Sequence, residues 1–417
     1  MKRNYFIVGL IFLIFFVISF LTNILGPLIP DIIDSFVLSL TLAGFLPFSF
    51  FVAYGVMSIP AGALVERYGE KPVMVASFIL AFIGSFLFAT FPYFSVAMVS
   101  LFLIGIGMAM LQVAINPLLR TAGGEEHFAF NSVMAQLIFG AASFISPQVY
   151  SYLVKNLKDP TGEVNFIVRA LAKVVPTDLP WISLYWVFAV IALAMVIVIA
   201  SARLPKVELK EDERAGAWET YKLLFKNKFV ILYFLGIFAY VGTEQGVANW
   251  ISKFLSVYHG FDPQVVGADA VSYFWGLMTA GCLLGLLLLK LFDSRKVLIG
   301  FASAAIITLS IALFGSAKMS LYAFPLVGFF ASVMWSIIFS LALNSVEKHH
   351  GSFSGILCTG IIGGAIVPLI VGVLGDFFGL RFGMIFLYLT LGYILSIGFW
   401  AKPLITNVTF QMKKKKQ

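Results

Sequence analysis

The sequence predicts an all-α membrane protein in which twelve transmembrane helices form two pseudo-symmetric six-helix halves. Apolar residues make up 60% of the 417-residue chain and charged residues only 12%, which is too few charges to cover a water-soluble surface. Twelve apolar runs each approach the roughly 20 residues that an α-helix needs to cross the hydrocarbon core. A polar segment in the middle of the chain separates six runs from six.

Each apolar run predicts a helix, because backbone polar groups in lipid must find their hydrogen-bond partners within the same segment. The first six runs lie at about 5–27, 40–64, 72–91, 94–119, 129–153 and 181–202. The second six lie at about 229–255, 267–290, 297–316, 319–346, 353–376 and 381–401. This spacing predicts a first half (residues 1–202), a cytoplasmic linker (203–228) and a second half with a basic tail (229–417).

The linker carries a charged run followed by apolar residues at helical spacing. These residues are Trp218, Tyr221, Leu224 and Phe225. The pattern predicts a short helix that lies on the membrane surface.

Basic residues are unevenly distributed between alternate connections. With the N-terminus placed in the cytoplasm, 21 of the 28 Lys and Arg residues fall on the cytoplasmic side. The positive-inside rule therefore predicts that both termini are cytoplasmic. The net charge of +8 arises largely from these flanking residues and from the tail, so it does not indicate a nucleic-acid partner. No phosphate loop, zinc-ligand spacing or nucleophile elbow indicates an ATP-driven pump or an enzyme.

The two halves resemble each other in sequence, as they do in many transporters. Residues 140–147 read Gly-Ala-Ala-Ser-Phe-Ile-Ser-Pro, and residues 361–368, at an offset of 221, read Ile-Ile-Gly-Gly-Ala-Ile-Val-Pro. The loop at 67–73 similarly resembles 291–297, at an offset of 224. Two matches at nearly one offset predict that the halves are structural repeats.

The connection between the second and third predicted helices contains an ordered set of residues. The set is Gly62, Glu66, Arg67, Gly69 and Lys71. In this loop it resembles the signature of the major facilitator superfamily, which implies a conformational latch. An acid at a helix end can face the positive N-terminus of a partner helix, and the predicted partner is the eleventh helix, starting near Ser352. The alternative is a simple topology-setting basic loop.

Four segments resemble a narrower family, the fucose–proton symporters, which also includes glucose and galactose permeases. The segments are residues 22–27, 111–117, 240–244 and 362–368. The resemblance implies a sugar as the small-molecule substrate and no cofactor beyond a coupling ion, either a proton or Na⁺. We expect a monomer among the lipids of a bacterial cytoplasmic (inner) membrane, with no nucleic-acid partner.

The chain departs from that family at its coupling acids. The family's first helix usually has Asn-Asp before Ile-Leu, whereas this chain has Thr22-Asn23. The fucose symporter has an acid in its fourth helix where this chain has Gln112. A neutral amide cannot take up a proton near physiological pH, so the family's proton relay does not transfer intact.

Glu244 is the predicted replacement for these acids. It lies near the middle of the seventh predicted helix, 221 residues after Asn23. An ionisable group at such depth is costly and usually serves a function. Its carboxylate is suited to proton uptake or to binding Na⁺ through oxygen. A structural carboxyl bonded to a neighbouring helix is the alternative.

Amide and tryptophan side chains that face a cavity suit sugars, which offer hydroxyls for hydrogen bonds and apolar ring faces for stacking. The predicted substrate-binding residues are Asn23, Gln112, Asn116, Gln136, Glu244, Asn249, Trp275 and Trp335. Gln112 and Asn116 are four residues apart and so share one helix face. Trp250 is either a further stacking residue or part of an interfacial belt. The serines of the tenth helix, Ser332 among them, are better explained by helix packing.

These observations predict a secondary active transporter, not an enzyme. It would import a monosaccharide or a related small polar solute with a proton or Na⁺, by alternating access. Three alternatives stay open. The loss of two family acids favours an uncoupled sugar facilitator, and a Phe-rich lining suggested by Phe15 and Phe20 favours an exporter of amphipathic compounds. The third, a receptor built on a transporter fold, would be favoured by a large soluble domain.

Overall fold

The computed structural model describes residues 5–123, 128–158, 165–204, 218–346 and 348–404. Within them, 12 helices are long and apolar enough to cross a membrane, which confirms the predicted fold class. We label these spans in chain order: α1 Tyr5–Phe36, α2 Leu40–Tyr68, α3 Glu70–Thr90, α4 Phe94–Gly123, α5 Phe128–Lys158, α6 Pro180–Ser201, α7 Lys228–Ala248, α8 Pro263–Leu291, α9 Ser294–Phe314, α10 Ala317–Leu343, α11 Ser352–Phe378 and α12 Leu380–Trp400. We call the side where α1 begins and α12 ends the terminal side, and the other the far side.

The first span is longer than predicted and is built from two helical segments, Tyr5–Thr22 and Leu25–Phe36. The sequence predicted an end near Pro27. A proline in the first turn of a helix loses no hydrogen bond, because the N–H it lacks would have no partner there. Pro27 is the third residue of the second segment, so the chain continues as a helix beyond it.

Three other spans are also interrupted or bent. Beyond α7 a short helix, Ile251–His259, continues after a break at Asn249–Trp250. A break at Ser332–Val333 divides α10, and a 3-10 turn at Gly360–Ile362 divides α11. Interruptions in spanning helices free backbone groups near the membrane centre, where transporters place their binding sites.

The packing of the two halves follows one pattern. In the first half α1 packs on α5, α2 on α4, α3 on α4 and α3 on α6. In the second half α7 packs on α11, α8 on α10, α9 on α10 and α9 on α12. The halves meet where α2 contacts α11 and where α5 contacts α8. These matching neighbours confirm the pseudo-symmetry predicted from the sequence.

One close contact occurs in both halves. A Cβ atom added to Gly105 of α4 would lie 2.3 Å from the carbonyl oxygen of Phe50, and one added to Gly328 of α10 would lie 2.4 Å from that of Phe274. Only glycine allows a backbone to approach another this closely. The repeat therefore extends to individual helix crossings.

The predicted helix in the linker is present at Trp218–Phe225. Its Tyr221 and Leu224 side chains are buried. The Tyr221 hydroxyl forms a hydrogen bond with Ser352, in the first turn of α11. The helix therefore packs against the start of α11 through one face.

Lys71 joins α3 to α6 on the terminal side. Its Nζ donates to the carbonyl oxygens of Ala200 and Ala202, at 2.8 Å each. These carbonyls belong to the end of α6, where the last C=O groups of a helix have no partner within it. The contact lies within the first half and stabilises its packing.

We expect Lys71→Met to lower the thermal stability of the purified protein without changing its fold. The loss should be about 1 kcal/mol, because a cation at a helix end near solvent contributes about that much. The melting temperature in detergent or nanodiscs checks this. Lys173→Met is the matched control, because Lys173 is an exposed cation that lies outside the helices. Equal melting temperatures for the two variants would contradict the capping role.

Candidate functional site

A carboxylate with neutral hydrogen-bond donors lies within α7. Oε2 of Glu244 accepts a hydrogen bond from the Tyr240 hydroxyl at 2.6 Å, and Oε1 accepts one from Gln245 Nε2 at 3.0 Å. Asn249 extends the chain by donating to Gln245 Oε1 at 3.3 Å. Since neither donor to Glu244 is charged, the carboxylate can gain a proton without breaking an ion pair with these partners.

Three helices of the second half converge on this carboxylate. Trp335 of α10 lies with its ring centroid 6.0 Å from that of Tyr240. Cys282 of α8 is close enough to Glu244 to experience its charge. The Cys282 thiol donates to the carbonyl oxygen of Ser332, at the break in α10, at 3.3 Å. The sequence predicted Glu244 and Trp335 separately, and the structure brings them together around Tyr240.

Two of these helices also carry buried polar atoms that have no hydrogen-bond partner among the described residues. They are Trp275 Nε1 on α8 and Ser332 Oγ on α10, both on side chains that are almost fully buried. An unsatisfied buried donor costs about 1–3 kcal/mol, so such a position suits a partner such as a water or a substrate group. Five further such atoms belong to Ser85, Ser100, Ser183, Trp186 and Arg381, on α3, α4, α6 and α12.

Tyr54 is a candidate that sequence reasoning missed. It lies on α2 beside Thr22 of α1, whose hydroxyl donates to the Ile18 carbonyl at 2.7 Å. In the sequence Tyr54 is one aromatic residue in a helix rich in phenylalanine, so nothing distinguished its hydroxyl. Only the packing shows that this hydroxyl is buried.

In the first half, Asn23 lies at the break in α1 and joins α1 to α5. Its Nδ2 donates to Ser143 Oγ at 2.8 Å, and Ser143 Oγ lies 2.6 Å from Ser19 Oγ. Ser19 and Asn23 are the counterparts, at an offset of 221, of Tyr240 and Glu244. The two halves therefore build the same i, i+4 polar pair, but only the second half makes it ionisable.

The other predicted amides are less closely grouped. Gln112 is half-buried on α4, and the side chain of Asn116 lies outside those that the structure describes. Gln136 is exposed on the terminal half of α5. An amide that faces lipid would lack hydrogen-bond partners. The exposure of Gln136 therefore leaves its amide accessible to water or to a solute.

Trp250 has a structural role in this conformation. It is fully buried at the break after α7, and its Nε1 donates to the Pro368 carbonyl oxygen of α11 at 3.2 Å. The indole nitrogen is thus already satisfied, in contrast to that of Trp275.

The predicted latch residues lie at the end of α2, beside the linker helix. Glu66 and Arg67 are exposed, and the Arg67 guanidinium lies over the Tyr68 ring at 5.2 Å. Burial raises the pKa of Tyr221; the hydrogen bond with Ser352 opposes this rise, and the negative charge of Glu66 adds to it. Tyr221 therefore bonds the first turn of α11 and lies near Glu66, an arrangement that sequence reasoning missed.

Polar contacts join the two halves on the far side. The buried Asp31 of α1 accepts hydrogen bonds from Tyr150 of α5 and, at 2.7 Å, from Gln264 of α8. The Lys158 Nζ donates to the side-chain oxygen of Gln264, Oε1, at 2.8 Å. The Gln264 side chain therefore forms hydrogen bonds with two helices of the first half, α1 and α5.

Two further pairs reinforce this closure. Gln148 of α5 donates to Asp269 of α8 at 2.8 Å. Lys253 lies 3.5 Å from Asp34 in a more exposed ion pair, which contributes little. The described conformation is therefore closed on the far side. The sequence did not indicate these residues, because acids and amides near helix ends are also common in loops.

Comparisons with known proteins agree with this architecture. A family model described as the Major Facilitator Superfamily matches residues 11–361. The chain is 32% identical over 407 residues to a glucose/galactose transporter of Brucella abortus biovar 1 (strain 9-941), covering 95% of this chain and 94% of the relative. It is 25% identical over 400 residues to the L-fucose-proton symporter of Escherichia coli (strain K12), covering 90% and 88%. A crystal structure of the E. coli fucose:proton symporter has the same fold, with a TM-score of 0.66, 22% identity and coverage of 95% and 98%.

We expect Ser143→Ala to destabilise the protein by about 1–3 kcal/mol, because Asn23 and Ser19 would each lose a buried partner. The melting temperature of the purified protein checks this. Ser183→Ala is the matched control: its hydroxyl is also buried but has no partner, so its removal should be neutral or slightly stabilising. If Ser143→Ala melted at the wild-type temperature, the Asn23 contact would not support the first half.

Proposed function

The chain belongs to the Major Facilitator Superfamily, and from this premise we propose that it imports a monosaccharide together with a proton by alternating access. Family membership makes it a membrane transporter and not an enzyme. The relatives named as glucose/galactose transporters and as L-fucose-proton symporters support a sugar as the substrate. We further propose that it works as a monomer in the inner membrane, with both termini in the cytoplasm.

The observation that carries the coupling proposal is the environment of Glu244. It is partly exposed near the end of α7, one turn before the break at Asn249–Trp250, and bonded to Tyr240 and Gln245, which are neutral. The family's acids on the first and fourth helices are replaced here by Asn23 and Gln112, so Glu244 is the acid best placed to take their part. Two donors around its oxygens suit a group that alternates between carboxylate and carboxylic acid. A Na⁺ site would instead need several more oxygen ligands directed at one point.

The substrate would lie between the two halves, near the breaks in α1, α7 and α10. A sugar offers hydroxyls that Trp275 Nε1, which has no partner among the described residues, can bond, and apolar ring faces that Trp335 can stack against. Gln112 and Gln136 are the amides that the first half contributes. This arrangement supports a hexose better than a large amphipathic compound, because it concentrates hydrogen-bonding groups.

An uncoupled sugar facilitator is the second candidate function. This function is favoured by Asn23, which stands where the family has an acid. Its amide donates to Ser143 and cannot titrate. Glu244 would then bind a sugar hydroxyl and take no part in coupling. The two functions differ in whether the wild type accumulates sugar against a gradient.

We expect Glu244→Gln to abolish accumulation driven by a proton gradient but to retain equilibrium exchange of sugar. Glutamine keeps the size and hydrogen-bonding capacity but cannot titrate. Proteoliposomes given radiolabelled D-glucose, D-galactose or L-fucose, with pH and Na⁺ gradients imposed separately, provide the measurement.

Glu70→Gln is the control, because Glu70 is also a buried carboxyl but lies at the start of α3, away from the site. It should accumulate sugar as the wild type does. Retained proton-driven accumulation in Glu244→Gln would refute the coupling role. A wild type that exchanges sugar but never accumulates it would establish the facilitator.

Trp275→Phe should weaken the apparent sugar affinity by roughly two- to tenfold, the effect of losing one neutral hydrogen bond. The thermal stability without sugar should hold or rise, since the Trp275 N–H donates to none of the described residues. Trp400→Phe is the control: Trp400 Nε1 donates to Ser396 within α12, so this variant should lose stability and keep its affinity. Wild-type affinity in Trp275→Phe would place Trp275 in helix packing.

A further inference from the structure

The carboxylate of Asp376 joins the end of α11 to the beginning of α2. Oδ1 accepts a hydrogen bond from the Leu40 amide and Oδ2 accepts one from the Thr41 amide, both at 2.8 Å. These are the first two residues of α2, and amides in the first turn of a helix have no partner within it. An anion at this position also interacts favourably with the positive end of the helix. Asp376 belongs to the second half and α2 to the first, so the bond joins the two halves on the far side.

Glycines bring the two helices to the distance that this bond requires. A Cβ atom added to Gly372 would lie 2.5 Å from the Leu40 carbonyl oxygen, and one added to Gly44 would lie 3.0 Å from Leu369 Cα. Gly375 packs in the same way against the Leu40 side chain. The far ends of α2 and α11 therefore meet backbone to backbone, and the carboxylate of Asp376 lies at the edge of this contact.

The arrangement has the same form as the latch predicted on the terminal side, with the roles of α2 and α11 exchanged. Glu66 lies two residues before the last residue of α2, Tyr68, and Asp376 lies two residues before the last residue of α11, Phe378. The two helices are antiparallel, so the final turn of each lies near the first turn of the other. Each helix thus carries one acid that can face the N-terminus of its partner.

We propose that Asp376 is a far-side latch, and that α2 and α11 carry reciprocal latches that favour opposite states of the transporter. Asp376 stabilises the conformation closed on the far side, by holding the first turn of α2. Glu66, in the last turn of α2, has the corresponding part on the terminal side, where it favours closure toward the first turn of α11. The proposal rests on alternating access as proposed above, but not on which solute is carried.

A purely structural cap would behave differently from a latch. Removal of a cap lowers the stability of the folded protein in every conformation. Removal of a latch changes the ratio of two conformations, because the bond is present in one and absent in the other. The conformational ratio is therefore the readout that separates the two roles.

The test measures distances between spin labels by pulsed electron paramagnetic resonance, on the full chain in nanodiscs without substrate. Cys282 and Cys358 are first replaced, and labels are placed at Val37 and Val257, exposed on the far side of opposite halves. We expect Asp376→Asn to raise the far-side-open population, relative to the closed one, by roughly three- to tenfold. Glu66→Gln should shift the same ratio in the opposite direction.

Ser316→Ala is the matched control. Ser316 also caps the first turn of a helix on the far side, by accepting a hydrogen bond from the Met319 amide, but both residues belong to the second half. It should leave the ratio unchanged. Gly372→Ala provides an independent second variant, because an added methyl group would separate α2 from α11 and should raise the far-side-open population as well.

Two results would overturn the latch. One is an unchanged ratio in Asp376→Asn and in Gly372→Ala. The other is a shift no larger than that of Ser316→Ala, accompanied by a lower melting temperature, which would make Asp376 a structural cap. Sugar transport assays on the same variants separate this result from the proposed function. The expected shift with no sugar transport would leave the latch standing and refute the proposed substrate.

Discussion

The whole molecule depends on satisfying polar groups where no water is available. In hydrocarbon every backbone amide and carbonyl must find a partner within the protein, which is why the spans are helical. Side-chain hydroxyls follow the same constraint: those of Ser58 and Ser77 donate to carbonyls one turn earlier in their own helices. Against this background the few buried polar atoms that remain unpaired among the described residues, such as Trp275 Nε1, are positions that suit a water or a substrate hydroxyl.

The same constraint explains what could be predicted from the sequence. Span positions and the repeat follow from composition and periodicity, and these hold over tens of residues. The depth of Glu244 could be read from the apolar residues on either side of it. The break at Ser332–Val333 could not, because the sequence around it is as apolar as in an uninterrupted helix. Asp31 and Asp376 were also missed, since an acid near a helix end gains its meaning from the helix that packs beside it.

The main feature of the site is that the two halves place polar pairs at equivalent positions, but only the pair of the second half includes an ionisable residue. The i, i+4 pair Ser19 and Asn23 in α1 corresponds to Tyr240 and Glu244 in α7. In the first half the pair is bonded to Ser143 and serves to join two helices. In the second half the pair includes the ionisable group. The first half thus uses its pair to join α1 to α5, and the second half carries the ionisable residue of its pair, Glu244.

The glycine contacts between α2 and α11 affect how such a protein can diversify. Gly44 and Gly372 face backbone atoms at distances that exclude any larger side chain, so selection for a new substrate has little freedom at these positions. The half-buried Trp335 and the exposed Gln136 face no such backbone limit. New specificities should therefore arise by substitutions on α5 and α10, while the surfaces on which the halves move stay nearly invariant. A laboratory library directed at the former and sparing the latter would sample new substrates at little risk to the mechanism.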